Sequence, residues 1–200
     1  MSGSPIIGFE VHAQLSTETK IFCGCLNRTG GEPNTRTCPV CLGMPGALPV
    51  TNGAVVDMGI AVAVALNARI NRVASFARKN YFYPDLPKGY QITQYGEPLA
   101  VGGHLDVAVE GAVRRVRLRQ IHLEEDAGKS VHAKVGGEAS GLLDMNRCGA
   151  PLIEIVTEPD MESIEEADAF LNELRSILIS LGVANCSMHE GGLRFDTNVS

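Results

Sequence analysis

Apolar and polar residues alternate most clearly near the amino-terminal end of the chain. In residues 7–15 every odd position is apolar, whereas Glu10, His12 and Gln14 occupy even positions between them. Side chains of a strand point alternately to two faces, so this pattern predicts a strand with one buried face. The opposite face carries ionisable groups and is therefore a candidate for chemistry.

Two segments have the spacing of helices. Residues 53–67 are apolar nearly all round and follow a capping residue at Asn52, which predicts a buried helix. The second helix begins after Ser163, which forms a capping box with Glu166, and ends before Gly182. Its apolar positions recur every three or four residues, which indicates a helix that packs on the core.

Three other segments predict strands. Residues 101–123 favour a hairpin that turns near Gly111, and residues 151–158 and 193–200 each favour one strand. Three arginines share one face of the second hairpin arm: Arg115, Arg117 and Arg119. A solvated sheet face explains them, and contact with RNA phosphates is the alternative.

Residues 76–100 show neither the helical period nor the alternation of a strand, which predicts a long functional loop. Tyrosines and prolines are combined there with three cations, Arg78, Lys79 and Lys88. Such a composition suits an anionic ligand such as a phosphate. A surface loop whose aromatic side chains cover an edge of the core is the alternative. The polar, glycine-bearing residues 128–140 predict a second loop.

Four of the six cysteines form two close pairs in residues 22–42: Cys23, Cys25, Cys38 and Cys41. Two such pairs across a short polar loop supply four thiolates to a tetrahedral zinc ion, which would be structural and lie apart from the chemistry. Reduced structural thiols are the alternative. Cys148 and Cys186 are isolated, and we expect both to be buried small residues.

Composition limits the class of protein. The chain has 200 residues, 44% of them hydrophobic, which is enough for one sizeable core, and a formal net charge of -6. The negative charge argues against a protein that coats nucleic acid. We find no signal peptide, and the longest apolar stretch, residues 54–68, is too short to cross a bilayer. We therefore expect a cytoplasmic or organelle-matrix protein with no membrane contact.

Acidic residues recur on the predicted strands, where a buried sheet would exclude them. They are Glu10 near His12, residues 124–126, Glu154 with Glu158, and Asp196 with Asn198. Buried carboxylates need water or a cation, and clustered carboxylates suit magnesium bound together with substrate phosphates. With Arg78, Lys79, Lys88 and Arg194 as phosphate ligands, the pattern predicts phosphoryl transfer. Carboxylates that simply face solvent are the alternative. No Walker or dinucleotide-binding motif is present, so an ATP site would be of another type.

Six sequence blocks, spread over almost the whole chain, point to one family: GFEVHAQLSTETKIFCGC, CPVCLGMPGALPV, RKNYFYPDLPKGYQI, IHLEEDAGKS, APLIEIVTEPD and LRFDTNVS. They resemble, in the same order, the B subunit of the aspartyl/glutamyl-tRNA amidotransferases. The related archaeal E subunit shares several blocks, but the cysteine pairs favour the B subunit. Three residues depart from the family's usual acid, serine and cysteine: His189, Gly192 and Phe195.

The resemblance implies an α+β catalytic domain of the glutamine-synthetase type. In such a domain, a mixed or antiparallel sheet with packed helices cradles ATP and magnesium, and here a zinc knuckle is inserted. It also implies an enzyme that is active only in a complex with the amidase A subunit and the small C subunit. This enzyme would phosphorylate the side-chain carboxylate of misacylated glutamyl-tRNA(Gln) or aspartyl-tRNA(Asn), which is then amidated with ammonia that the amidase releases from glutamine.

The resemblance also implies roles for individual residues. The magnesium candidates are Glu10, His12, Glu125 and Glu154. The catalytic candidates are Glu10, His12, Lys79, Lys88, Glu125 and Arg194, with Lys79 and Lys88 contacting phosphate or guarding the ammonia path. The candidates for nucleotide binding are Arg78, Glu124, Asp196 and Asn198. The zinc candidates are the four paired cysteines, Cys23, Cys25, Cys38 and Cys41.

We expect residues 1–200 to form one catalytic cradle domain with the knuckle of residues 22–42 inserted. The chain stops within a strand pattern, so we expect a domain cut near Ser200, with the helical and tail domains absent. Two alternatives stay open. One is a zinc-knuckle RNA-binding module without catalysis, and the other is a different ATP-dependent ligase on the same fold.

Overall fold

The computed structural model describes residues 5–135 and 138–200. Over these residues the chain forms an α+β fold in which all strand pairs are antiparallel. The strands are β1 (Ile7–Gln14), β2 (Arg69–Ile70), β3 (Ala77–Asn80), β4 (Tyr90–Thr93), β5 (Ala100–Val101), β6 (His104–Val109), β7 (Ala112–Glu125), β8 (Lys129–Val135), β9 (Glu138–Asp144), β10 (Pro151–Thr157) and β11 (Leu193–Val199). The helices are α1 (Pro39–Leu42), α2 (Gly53–Ala65) and α3 (Ile164–Ser180), with a short 3-10 helix at Met145–Arg147.

The main sheet has the strand order β11-β1-β10-β7-β4-β3. The long strand β7 also pairs with β5 and β6. At the centre, β10 is buried along its whole length because β1 and β7 cover both of its edges. This confirms the strands predicted from alternation and the hairpin whose turn contains Gly111, which has a positive φ of 81°.

One face of the sheet forms the core. Phe9 stacks on Phe170 of α3 and contacts Phe195 of β11 edge to face. Gly59 of α2 lies against Leu123 of β7, where an added Cβ would come within 3.0 Å of the leucine side chain. Because both helices pack on this face, the ionisable side chains of the same strands point away from the core.

Both predicted helix starts are correct, with two changes in detail. The Asn52 side chain accepts a hydrogen bond from Ala54 N at 3.0 Å, and Ser163 accepts one from Glu166 N at 3.1 Å. The Glu166 carboxylate, however, accepts from the amide of residue 162 and not from that of Ser163, so the capping box is incomplete. The prediction that α2 is buried all round is wrong, since one face reaches solvent and Val64 is 62% exposed.

The predicted loop of residues 76–100 is correct only in part, since residues 81–89 and 94–99 are irregular but the hairpin β3-β4 lies within the range. The predicted loop of residues 128–140 is wrong, because these residues fall largely in the hairpin β8-β9. All four residues of β3 are exposed, so no apolar alternation marks this strand in the sequence. Cys148 and Cys186 are buried as predicted. None of the helices in the described part of the chain is long and apolar enough to cross a membrane.

Candidate active site and metal centres

The polar face of the sheet brings ionisable residues of four neighbouring strands into one row. In the strand register Arg194 lies opposite His12, His12 opposite Glu154, and Glu154 opposite His122. Backbone pairing alone fixes this order, because each residue points away from the core face of its strand.

We call His12, His122, Glu124 and Glu154 the histidine–carboxylate cluster. His12 Nε2 lies 3.4 Å from Glu124 Oε1 and 3.4 Å from Glu154 Oε2, while His122 Nε2 lies 2.8 Å from the same Glu154 oxygen. Thr93 Oγ1 donates a hydrogen bond of 3.0 Å to the other Glu124 oxygen. The cluster is therefore held from both sides of β10 and is largely buried.

Electrostatics within this cluster are dominated by its two carboxylates. Burial by itself lowers the pKa of His12, but Glu124 and Glu154 outweigh that effect and raise it to about 10. The pKa of His122 is also raised, since the Glu154 carboxylate outweighs the burial of the ring. Conversely, burial raises the pKa of Glu154, but the two imidazoles hold it well below its usual range. The two carboxylates thus favour the protonated form of both imidazoles.

Three of these residues fit a cation. The ligand atoms of His12, Glu124 and Glu154 all lie within 4.8 Å of one another. Carboxylate oxygens are the ligands that magnesium prefers, so Glu124 and Glu154 suit it, whereas His12 would have to lose its proton before binding. Nearby, Glu10 lies directly opposite Asp196 on the same face. Like charges opposite each other in a sheet repel, which a bound cation would relieve.

Glu125 lies on the other face of the sheet and does not join the histidine–carboxylate cluster. It follows the buried Leu123 by two residues and forms an ion pair with Lys88. Glu125 also accepts a hydrogen bond of 2.8 Å from Ile92 N. Burial raises the pKa of Glu125, and the Lys88 ammonium offsets this only partly. The predicted grouping of Glu125 with His12 is therefore wrong in geometry, because adjacent strand residues point in opposite directions.

A pocket of about 210 Å³, which we call the Lys88 pocket, contains this ion pair. Tyr90 forms one wall, with the Lys88 ammonium 5.5 Å and the Arg78 guanidinium 5.1 Å from its ring centre. Cys23 and Cys41 also line this pocket. Lys79, in contrast, lies exposed on β3.

A second pocket, of about 730 Å³, lies beside the row that contains His12. We call it the arginine pocket, and its basic lining residues are Arg28, Arg36, Lys129, Arg147, His189 and Arg194. Asp126 anchors one wall, since its Oδ2 accepts from Arg194 Nη2 at 2.8 Å and lies 3.4 Å from Arg147 Nε. Asp196 and Asn198 lie further along β11 and are exposed.

The four paired cysteines, Cys23, Cys25, Cys38 and Cys41, form the second candidate metal centre, which we call the cysteine cluster. None of them is in a disulfide, and their sulfur atoms lie within 4.8 Å of one another. A tetrahedral zinc site has sulfur atoms about 3.8 Å apart, given zinc–sulfur bonds of about 2.3 Å, so the four residues fit zinc. A hydrogen bond from Cys23, together with the nearby Lys20 ammonium, lowers the pKa of Cys41 to about 5. These contacts favour the thiolate form of Cys41, which is the form that binds zinc.

The arginine row on β7 has acidic partners. Arg115 pairs with an aspartate of β6, Arg117 with Asp160 and Arg119 with Glu158. These pairs agree with the solvated sheet face predicted from the sequence and leave no arginine of this row without a carboxylate.

Sequence reasoning missed several residues of these sites, among them His122, Lys20 and the Arg147 that shares Asp126 with Arg194. His122 was overlooked although it alternates with Ile121 and Leu123, which is the signal that places it on the polar face. Lys20 next to the first cysteine pair carried no such signal. It is nevertheless buried, with only 1% of its surface exposed.

Comparison with known proteins agrees with the sequence blocks. The B subunit of the aspartyl/glutamyl-tRNA(Asn/Gln) amidotransferase from Anaeromyxobacter sp. (strain Fw109-5) is 58% identical over 195 residues, which are 98% of this chain and 40% of that protein. The same subunit from Geotalea uraniireducens (strain Rf4) is 56% identical over 196 residues, 98% of this chain and 41% of that protein. That from Geobacter sulfurreducens (strain ATCC 51573 / DSM 12127 / PCA) is 55% identical over 201 residues, covering 100% of this chain and 42% of that protein.

The chain thus spans about two fifths of the length of these relatives. The sequence profile described as the GatB/GatE catalytic domain matches residues 5–200. Since this match extends over nearly all of the sequence, the resemblance seen in the six blocks is confirmed, and the chain belongs to the GatB/GatE catalytic domain family.

Proposed function

We propose that this chain carries the ATP-dependent step of tRNA amidation. In this step a carboxylate oxygen of a glutamyl or aspartyl group, esterified to the wrong tRNA, attacks the γ-phosphorus of ATP. The bond to ADP breaks and an acyl phosphate forms, from which ammonia then displaces phosphate. The family membership and the names of the relatives support this proposal.

The histidine–carboxylate cluster is the observation that carries the proposal. The attacking carboxylate is already ionised at neutral pH, so the site needs no general base. It needs instead to hold two negatively charged groups together and to neutralise the charge that moves to ADP. Bound magnesium would supply that neutralisation, with Glu124, Glu154 and deprotonated His12 as its protein ligands and Glu10 and Asp196 beside it.

The arginine pocket supports the same reaction. Arg194 lies opposite His12 in the sheet and lines this pocket. A magnesium ion bound at the histidine–carboxylate cluster would therefore lie close to the Arg194 guanidinium. Guanidinium groups bind phosphate oxygens in pairs, and the pocket is large enough for a nucleotide. We infer that Arg194 contacts the transferred phosphoryl group and that Arg147, which shares Asp126 with it, keeps it in place.

We infer further that the antiparallel sheet is a cradle of the glutamine-synthetase type. Its core face packs against the helices, while its polar face carries the ionisable row. Such a cradle needs one face to form the core and the other to bind ATP and magnesium. Lys88 and Glu125, on the other face, would then guard the path of ammonia from the amidase A subunit. The small C subunit and the misacylated tRNA complete the proposed assembly.

Calorimetric titration of the chain with a non-hydrolysable ATP analogue tests the proposal, with and without magnesium. Glu154→Gln should abolish the magnesium-dependent part of binding, while Glu173→Gln, which removes an exposed acid on α3, should not change it. Magnesium-dependent binding that Glu154→Gln leaves intact would refute this location of the site. The full reaction is then measured with glutamyl-tRNA(Gln) or aspartyl-tRNA(Asn) after addition of the partner subunits. No amide product in that complete mixture would refute the activity.

A further inference from the structure

Lys20 is the largest side chain of the described residues that is fully buried, and it lies against the cysteine cluster. Its Nζ donates a hydrogen bond of 2.7 Å to Arg36 O and lies 3.6 Å from Cys41 Sγ. In residues 5–135 and 138–200, no carboxylate lies within 4.0 Å of this ammonium. The function proposed above does not use it.

A buried ammonium without a carboxylate is unusual, because removal of a charge from water is costly unless an opposite charge replaces the lost hydration. The group that the structure places beside it is the Cys41 sulfur, which binds zinc as a thiolate. Four thiolates around one divalent zinc ion carry a net charge of about minus two. A lysine ammonium beside them halves that charge, so Lys20 and a zinc–thiolate centre stabilise each other.

The backbone fixes Lys20 in this position. Its amide donates a hydrogen bond of 3.0 Å to Cys25 O, in the first cysteine pair, whereas its side chain reaches Arg36 O, two residues before the second pair. Its stem runs past Gly149, where an added Cβ would lie 3.7 Å from Lys20 Cδ and 3.2 Å from Cys41 Cβ. Lys20 therefore ties together the two chain segments that bring the four sulfur atoms into one group.

We propose that Lys20 is a positioning residue of the cysteine cluster. It donates an N–H···S hydrogen bond to the Cys41 thiolate and provides the positive charge that lets four thiolates share one zinc ion. Removal of a hydrogen-bond partner of a metal ligand typically weakens metal binding by about 10–100-fold. The inference rests on the geometry of the cysteine cluster and does not depend on the proposed phosphoryl transfer.

Zinc affinity measured by competition with a chromophoric chelator tests this role. Lys20→Met, which keeps the length of the stem without the charge, should weaken zinc binding by about 10–100-fold. Lys20→Gln keeps a donor without the charge and should also weaken it. Lys134→Met removes an exposed lysine on β8 and should leave the affinity unchanged. Equal zinc affinity of Lys20→Met and the unmodified chain would overturn the proposal.

Two further measurements separate the role of Lys20 from a general loss of structure. Cobalt-loaded Lys20→Met should keep the thiolate charge-transfer bands of a four-sulfur site, because all four ligands remain. The second measurement needs no variant. In the unmodified chain loaded with a spin-half cadmium isotope, the Lys20 ammonium protons should exchange slowly and show coupling to cadmium through the Cys41 sulfur. Rapid exchange without coupling would contradict the hydrogen bond directly.

Discussion

The ion pair between Lys88 and Glu125 gives the sharpest prediction about stability. Both side chains are almost fully buried, with 6% and 2% of their surfaces exposed. Among the described residues, Lys88→Met leaves the Glu125 carboxylate with the Ile92 amide as its one hydrogen-bond partner. Breaking a buried pair in this way costs about 3–5 kcal/mol, because a charge stays behind without compensation.

Removal of the carboxylate charge by Glu125→Gln should lower the free energy of unfolding by less. In Glu125→Gln the lysine ammonium keeps its contact with the Tyr90 ring, and a desolvated cation–π contact contributes about 2 kcal/mol. The glutamine also keeps an acceptor for the Ile92 amide. We therefore expect a loss of about 2–3 kcal/mol for Glu125→Gln. Removal of both charges in the double variant should cost about 1 kcal/mol, since no isolated buried charge is left.

Urea unfolding of the unmodified chain, the two single variants and the double variant forms a double-mutant cycle, which measures the coupling free energy between Lys88 and Glu125. The expected coupling is about 4–7 kcal/mol, because the two single losses together amount to about 5–8 kcal/mol, whereas the double variant should lose only about 1 kcal/mol. If the losses of unfolding free energy in the two single variants simply add in the double variant, the argument that each buried charge compensates the other is refuted. If the pair also guards the ammonia path, the stable double variant should fail in amide formation while its nucleotide binding is normal.

Three further predictions concern other parts of the molecule. Asn52→Ala removes the acceptor for Ala54 N and the donor to Thr19, so it should destabilise the chain by about 1–2 kcal/mol in urea unfolding, and an unchanged midpoint would exclude a role in capping α2. A hydrogen bond from Arg117 lowers the pKa of Asp160 below its unfolded value of about 3.9, so this aspartate adds stability above that pH and loses it as the pH falls through the folded pKa. Asp160→Asn should therefore destabilise the chain at pH 7 in urea unfolding, and the loss should shrink as the pH falls below about 3.9; a loss that does not change with pH would contradict the assignment. Zinc should stabilise the metal-free chain by about 1.4 kcal/mol for each tenfold rise of free zinc above Kd, measured as a rising Tm. A Tm that does not change with the zinc concentration would show that the cysteine cluster does not bind zinc.

The sequence predicted the parts of the fold in which burial differs between two faces. β1 is clear because Phe9 and Val11 enter the core while His12 does not. The packed face of α3 shows the same contrast. β10 is buried along its whole length and was predicted instead from its apolar run. The hairpins β3-β4 and β8-β9 were missed because their strands have many exposed residues, so backbone pairing organises them without an apolar stripe that would reveal it.

The sequence also predicted which strands carry the site but not which acid belongs to which group. Three consecutive acids at the end of β7 look equivalent when read as a run. The alternation of Ile121 and Leu123 into the core shows that Glu125 shares their face and that Glu124 does not. Lys20 was beyond prediction, since contacts with Arg36 and Cys41, which are distant in sequence, turn an ordinary polar position into a buried one.

The end of β7 explains how one short segment can serve three different sites. Glu124 enters the histidine–carboxylate cluster, Glu125 pairs with Lys88 on the opposite face, and Asp126 anchors Arg194 at the arginine pocket. Because the pleat fixes these directions, a shift of the β7–β10 register by one residue would exchange the two faces and disrupt all three contacts together. The same strand end also joins the polar face to the pocket walled by Cys23 and Cys41. The zinc candidate therefore does not lie apart from the other sites, as the sequence suggested, because it shapes the cavity that holds Lys88 and Glu125.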